Sequence, residues 1–516
     1  MKPRFKPADY GRQLLALDLS SQPHPGSFEY ALHHLIEHEI DLSHIEVRYK
    51  NEHEGAWAYD PRVLLKIVLL SYSRGIVSSR GMEAACCSDV LFMAISGNSA
   101  PHFSTLAHFV SSLGQAIGQI FAQVLTICDR EGLIRRQMFA IDAVKLPSNA
   151  SKAKSGKRKD YLRQVAKMEQ AVDEILAKQR AADAASSETA LEAKAKRRLE
   201  RLQAEAAKLR EWLKAHPRDG NSAKGKPRLS NLTDNESAKM PTDKGVLQGY
   251  TGVAAVDEKN QIIVEAQAHG TGSEQELLLP VTEAIQPIAK QDTLLCADSG
   301  YHNEDNLKQL EQKGIEAYIP DQLYRKRDAR YAGQDKHSAK PEALWDKNPK
   351  PAPKPKLFQP SDFKLATDQS HCICPAGKRL YRNGGNCNIG GRQAIKFTGA
   401  QRDCKTCPRR AQCLRHPQRT PVRQVAIFPG KHAKAQEKAT ERMKRKIDTE
   451  RGRQMMARRF ATVEPVFGNL RYNKGLNRFT LPSRQKVDGQ WTLYCLVHNI
   501  EKRARNGYAK QEGEAR

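Results

Sequence analysis

The chain lacks any apolar run long enough to cross a bilayer, which takes roughly 18 residues. Its best stretch, Val63–Leu70, is short and is interrupted by Lys66, so a membrane-spanning helix is not expected. Met1-Lys2-Pro3-Arg4 is followed by no apolar segment either, which argues against secretion. Acidic residues are in deficit: 58 Asp and Glu face 85 Lys and Arg, a formal +27 with a pI near 9.6. That balance favours polyanionic partners, either nucleic acid or an anionic membrane surface. The 11 cysteines are odd in number and scattered, unlike a secreted disulfide framework, and point to a reducing compartment. The expectation is a soluble, cytoplasmic chain that faces DNA, with 516 residues giving room for two to four domains.

What is present centres on three carboxylates. In TVEPVFGNLRYNKGLNRF, residues 462–479, Glu464 sits among Arg458, Arg459, Arg471, Lys474 and Arg478, with Phe467 and Leu470 at helical spacing from Val463. Read blandly, this is a surface helix with one ion pair. Two aspartates at the ends of apolar, strand-like runs favour a sharper reading. Asp142 follows Met138-Phe139-Ala140-Ile141, and Asp298 follows Leu294-Leu295-Cys296-Ala297. A buried, unpaired carboxylate costs several kcal/mol, so each must be paired, protonated, metal-bound or solvated at an open strand end. Between them, residues 249–270 read as a β-hairpin turning at Asp257–Asn260, and a helix entered at Ser273 follows. After Asp298 come a helix from Asn303 to about Lys313 and a strand at Ile315–Ile319. This order, closed by the Glu464 helix, is that of an α/β, ribonuclease-H-like fold: a mixed sheet flanked by helices.

With those residues in view, the chain resembles bacterial insertion-sequence transposases of the DDE class, from about residue 58 to residue 503. AYDPRVLLKIVLLSYSRGIVSSR is similar to their N-terminal helical domain, IDAVKLPSNASK to the first-Asp segment, ADSGYHNEDNL to the second, and VEPVFGNLRYNKGLNRF to the Glu segment. GYTGVAAVDEKNQIIV, the YRKRDAR run at 324–330 and a late cysteine cluster also match. One departure is that Ala143-Val144 follow the first Asp where the family usually has Gly-Thr. The resemblance implies Asp142, Asp298 and Glu464 as catalytic residues holding two Mg²⁺ (or Mn²⁺) ions for in-line displacement at phosphorus. It implies double-stranded DNA partners, namely the element's terminal inverted repeats and a target, and a homo-oligomer assembled on them. The mechanism expected is strand cleavage followed by attack of the freed 3′-OH on target DNA. Two alternatives stay open: a DDE-fold nuclease without strand transfer, and a non-catalytic DNA-binding regulator on the same scaffold.

Composition shifts suggest the layout. Residues 1–130 read as a helical, DNA-binding domain, with Asp60-Pro61 opening the first clear helix. Further helices are expected at Met82–Met93, before a break at Gly97-Asn98, and at Leu106–Leu125. Residues 131–151 hold the first core strand. Residues 152–228 form a charged insertion in which Val165, Met168, Val172 and Ile175, then Leu199, Leu202, Ala206, Leu209 and Leu213, recur at heptad spacing. This predicts an antiparallel helical hairpin, for dimerisation, DNA contact or mere decoration. The core resumes over 229–335. Residues 336–430 carry a Pro- and Lys-rich linker, KNPKPAPKPK, and then a cysteine-rich segment. Residues 431–516 carry the Glu helix and a basic tail with 21 Lys and Arg against 9 Asp and Glu.

In the cysteine-rich segment, Cys404-x₂-Cys407-x₅-Cys413 preceded by Cys372-x-Cys374 has zinc-ribbon character. Cys374, Cys404, Cys407 and Cys413 are the expected Zn²⁺ ligands, with Cys372, Cys387 and His416 as alternates; free buried thiols are the competing reading. Arg458, Arg459, Arg471, Lys474 and Arg478 are the expected phosphate contacts, though a solvated charged face would look the same.

Overall fold

The computed structural model describes residues 16–49, 57–184, 193–220, 228–242, 245–331, 357–389, 392–428 and 437–507. The chain divides into two compact units, Met1–Asp328 with Ala439–Arg516, and Ala329–Lys438.

The larger unit begins with short helices set by their caps. Ser27 accepts a hydrogen bond from the Tyr30 amide to open α1 (Phe28–His34), and Asp60 does the same for α2 (Pro61–Ser73), with Pro61 at its first position. Beyond lie α3 (Ser79–Ser88), α4 (Val90–Ser96), α5 (Phe103–Ser112) and α6 (Ala116–Arg130). Two expected helices are each split. Asp89 accepts from the amides of Leu91 and Phe92 and so starts α4 inside the predicted 82–93 helix. Gly114, in the left-handed region at φ +50°, divides the predicted 106–125 helix.

Then come β1 (Met138–Pro147), α7 (Arg158–Ala184), α8 (Ala193–Ala215), β2 (Ala238–Thr242), β3 (Gly245–Asp257), β4 (Ile263–His269), α9 (Leu278–Ile285), β5 (Leu294–Ala297), α10 (Glu304–Gln312) and β6 (Ala317–Tyr318). Strand order is β3-β1-β5-β6, with β2 and β4 both pairing with β3. The hairpin strands are antiparallel, whereas β1, β5 and β6 run parallel. This is a mixed α/β sheet consistent with a ribonuclease-H-like core. Tyr161 and Val165 near the start of α7 are buried with Leu209 and Leu213 near the end of α8, so these two helices run antiparallel.

Three helices close the unit: α11 (Ala439–Asp448), α12 (Glu450–Gly468) and α13 (Arg484–Asn506). The last was not anticipated, since the predicted element order ended at the Glu helix. It covers the edge strand β4: Asn499 exchanges hydrogen bonds of 2.8 Å with both the N–H and the C=O of Ile263, and Asp488 accepts from the Ala268 amide. Backbone groups that would template aggregation are thereby satisfied. Trp491 of α13 is fully buried and donates its indole N–H to Val253 O at 2.9 Å. Gly252 makes room for it, because a Cβ there would lie 3.0 Å from the ring. Arg503, also on α13, pairs with Glu39 and Glu131 at 2.7 and 2.6 Å, so the N-terminal helices and the sheet share one core.

The smaller unit is an antiparallel sheet, ordered β11-β10-β9-β8-β7, of β7 (Lys364–Leu365), β8 (His371–Ile373), β9 (Arg379–Ile389), β10 (Arg392–Gly399) and β11 (Gln424–Ile427). Residues 336–356 of the predicted linker lie outside the described residues.

Candidate active site

The expected strand end at Asp142 is corrected: β1 runs on to Pro147, pairing with β3 throughout, and Asp142 faces Ala254. The neighbour that stops is β5. Ile141 lies beside Ala297, the last residue of β5, so the parallel register brings Asp142 next to Asp298. Adjacent strands put these two backbones roughly 5 Å apart. One flank of β1 opens at Asp142, and there the two acids meet.

Helix α12 packs against β1 and β5 and opens at Thr449, whose hydroxyl accepts from the Gly452 amide. Its buried stripe includes Met455, Arg459, Val463 and Val466. Arg459 thus occupies a core position, and its Nη2 lies 2.9 Å from Asp142 Oδ2. The other Asp142 oxygen accepts from the Ala143 amide at 2.8 Å. Burial pushes the Asp142 carboxyl up to about 6; Arg459 and the Ala143 N–H oppose the rise, while the charges of Asp298 and Glu464 add to it. Glu464, one and a half turns beyond Arg459, is exposed and makes no hydrogen bond or ion pair among the described residues. Pro465 follows inside the helix and has no N–H for the Ala461 carbonyl; the Gln261 amide donates to that oxygen instead, at 3.0 Å.

Further groups surround the acids. Asp298 Oδ1 accepts from the Ser299 amide at 2.6 Å. Glu274 pairs with Lys145 at 2.8 Å and crowds Gly300, where a Cβ would lie 2.2 Å from Glu274 Oε2. Tyr301 is fully buried, its phenol driven far above the usual range by burial and then by the Asp142, Glu274 and Asp298 charges. Its hydroxyl, and the Nε and Nη2 of Arg459, are buried without hydrogen-bond partners. Arg459 Nη2 is therefore close to Asp142 without being aligned to donate to it. Among the described residues, no three His, Cys, Asp or Glu side chains converge closely enough to hold an ion.

The expected phosphate contacts divide. Arg459 is a correction: it is 3 % exposed because it lies on the apolar stripe, where its spacing from Met455 and Val463 could have revealed it. Lys474 is a second correction, buried and paired with Glu501 at 3.0 Å. Arg458 is half-buried and donates to Glu258. Arg478 is exposed but donates to Ser148 O and Asn149 Oδ1 in the loop after β1. Arg471 is exposed beside Tyr472, itself 82 % exposed. Lys145, Glu274 and Tyr301 went unread as site residues, and nothing local in the sequence marks Glu274. In the smaller unit, Cys374, Cys404, Cys407 and Cys413 line one cavity, whereas Cys372, Cys387 and His416 do not.

Three family models match the chain: a transposase domain, DUF772, over residues 18–112, and two transposase DDE domains over residues 212–356 and 373–504. The chain belongs to the insertion-sequence DDE transposases. No curated protein and no solved structure matches it. Asp298 and Glu464 of this transposase fall within the matched DDE segments; Asp142 and most of the α7–α8 hairpin fall between matches. Among the described residues, no single helix is long and apolar enough to cross a membrane.

Proposed function

We propose that the chain binds the terminal inverted repeats of its element as double-stranded DNA, then cleaves strands there and joins them to target DNA. Asp142, Asp298 and Glu464 are the catalytic carboxylates of this reading. The observation that supports it most is the parallel register of Ile141 with Ala297, which puts Asp142 and Asp298 on neighbouring backbones beneath a helix whose Glu464 charge raises the Asp142 carboxyl.

The donor set is all carboxylate oxygen, which suits Mg²⁺ or Mn²⁺. The Nε and Nη2 of Arg459 and the Tyr301 hydroxyl lie buried near these acids without acceptors, so the positive charge of Arg459 acts on Asp142 at short range and without a hydrogen bond of its own. Bound there, a pair of divalent ions supplies water activation and charge neutralisation at the scissile phosphate. The chain's own residues do the rest. Asp142 must be ionised to take part, and Arg459 favours that form against the cost of burial. Because Arg459 already occupies one Asp142 oxygen, it competes with any cation for that atom. Arg471 and Tyr472, exposed on the turn after the Glu helix, are placed to meet DNA backbone and bases. The protein acts as a homo-oligomer on the paired ends.

Asp298→Asn tests the assignment. With Mg²⁺ and labelled terminal-repeat DNA, the full chain should release a 3′-OH end and the variant should release none, while binding the same DNA nearly as tightly. Cleavage that survives the substitution overturns the assignment. Cleavage without joined product would instead support the nuclease reading.

A further inference from the structure

We propose that the outer face of the smaller unit's sheet is a platform for single-stranded DNA, on which Tyr381 stacks against a base while Lys364, Arg379 and Lys396 meet phosphates. A cleaved end, in the reading above, supplies such a strand. The binding itself needs no cleavage, so the two readings can fail separately.

The face follows from strand alternation. Cys372, Leu380, Phe397 and Val425 belong to the unit's own core, so their neighbours along each strand point away from it. The register joins those outward residues into one row across four strands: His371 of β8, Tyr381 of β9, Thr398 of β10 and Gln424 of β11. Three strand spacings make this row about 14 Å long. A second row beside it runs from Lys364 of β7 through Ile373 to Arg379. Lys396, two residues before Thr398, stands on the other side. Cations thus flank the Tyr381 row on both sides.

The ring is held ready. Tyr381 is 46 % exposed, and the Arg379 guanidinium lies 5.7 Å from its centroid. Arg379 is fixed there by donating to His371 Nδ1 at 3.1 Å. In the same row, Asn383 donates to Thr398 Oγ1 at 3.1 Å. A lone exposed tyrosine is ordinary. A tyrosine beside a positioned guanidinium, in a row of polar side chains, is a surface on which a base can stack.

Charge agrees. Residues 357–428 hold 13 Lys and Arg against 3 Asp and no Glu, and none of the five strands contains an acid. Asp362 and Asp368 accept from the Gln359 and Ser370 amides in turns, and Asp403 lies in the short helix Gln401–Lys405. Lys364, Arg379 and Lys396 are exposed and make no ion pair among the described residues. A duplex would show this flat face little but phosphates, since its base edges lie in grooves that admit a helix or a two-stranded ribbon. The Tyr381 ring would then touch no base. An unpaired strand offers phosphates and the π-faces of its bases together, and so engages ring and cations alike.

The test uses the full chain in EDTA, so that no strand is cut, with a labelled oligothymidine and a random-sequence duplex of equal length. Fluorescence anisotropy should show Tyr381→Ala weakening oligothymidine binding by about fivefold or more, the worth of one stacked base. Tyr381→Phe keeps the ring and should bind like the parent, and duplex binding should change in neither variant. Lys364→Gln combined with Lys396→Gln should lower the salt slope for the single strand by about 1.4 ions. Should Tyr381→Ala fail to fold, an oligonucleotide carrying 5-iodouracil should still photo-crosslink to Tyr381 of the parent chain. A parent that ignores oligothymidine at low salt, a Tyr381→Ala loss that is absent or equal on duplex and single strand, a Tyr381→Phe loss as large as the alanine's, an unchanged salt slope, or cross-links only elsewhere would each overturn the proposal. So would displacement of the oligonucleotide by polyglutamate at equal charge, which would mark an acidic protein segment as the partner instead.

Discussion

In the larger unit, one core runs from Ala31 to Ala504 and buries Phe139, Tyr250, Phe479 and Trp491 completely. In the smaller unit, Phe363, Cys372, Leu380, Ile395, Phe397 and Val425 carry the main cluster. The first can therefore keep charges inside: Arg459 against Asp142, Lys474 against Glu501 and Arg503 against two glutamates are each buried on the basic side. Burying a charge costs several kcal/mol even when it is paired, and only an extensive core offsets that cost. The second unit has no such reserve, and its arginines instead tie loops together through backbone carbonyls. Where apolar burial is abundant, ionisable groups can be positioned for chemistry. Where it is scarce, side-chain hydrogen bonds to backbone carbonyls take over part of the structural role.

The largest test of that contrast is Trp491→Ala, which opens a cavity beside Gly252 and removes the indole N–H from the Val253 carbonyl. It should cost about 3–5 kcal/mol, read from denaturant unfolding. A loss under about 1 kcal/mol would mean that the core is not what holds the larger unit.

Arg459→Gln probes the charges such a core holds. It removes the cation that keeps Asp142 low, so the carboxyl should titrate above its present value of about 6. The acid limb of Mg²⁺ binding, followed by calorimetry, should move to higher pH. The sign for stability also follows. A carboxyl raised in the folded state stabilises the metal-free protein at low pH, and that contribution is lost as pH rises from about 4 to about 6. Asp142→Asn should abolish this slope; an unchanged slope would show that Asp142 is not the group responsible.

A smaller effect is expected at Gln261→Ala. It leaves the Ala461 carbonyl opposite Pro465 without its donor, for a loss of about 1 kcal/mol. A loss near zero would show that the carbonyl does not depend on the Gln261 side chain.

The smallest effect belongs to Arg471→Ala, an exposed position that no core supports. Thermal stability should not move, while the salt slope of DNA binding should fall by about one ion. A slope that stays the same would remove Arg471 from the interface.

The contrast also separates what could be read along the chain from what could not. Asp142, Asp298 and Glu464 were legible because each is marked locally, two by apolar runs and one by helical spacing among basic residues. The helix start at Asp60 was legible for the same reason, since a cap is a contact between near neighbours. The splits at Asp89 and Gly114 were not, because periodicity continues across a cap or a left-handed residue without interruption. Cys374, Cys404, Cys407 and Cys413 were singled out by spacing, but only the folded loops separate them from Cys372, buried on the same strand run.

By itself, then, the sequence determined most of the periodic elements, several turns, the excess of positive charge and which three acids to single out, all of which depend on residues a few positions apart. The tertiary structure alone decided that β5 stops where β1 continues, and so which acids are neighbours. It alone decided that Arg459 and Lys474 face carboxylates instead of solvent, and that α13 seals the edge of the sheet. The partners in those contacts lie far apart along the chain. Their pairing follows from how strands register and helices pack, and no local pattern encodes that.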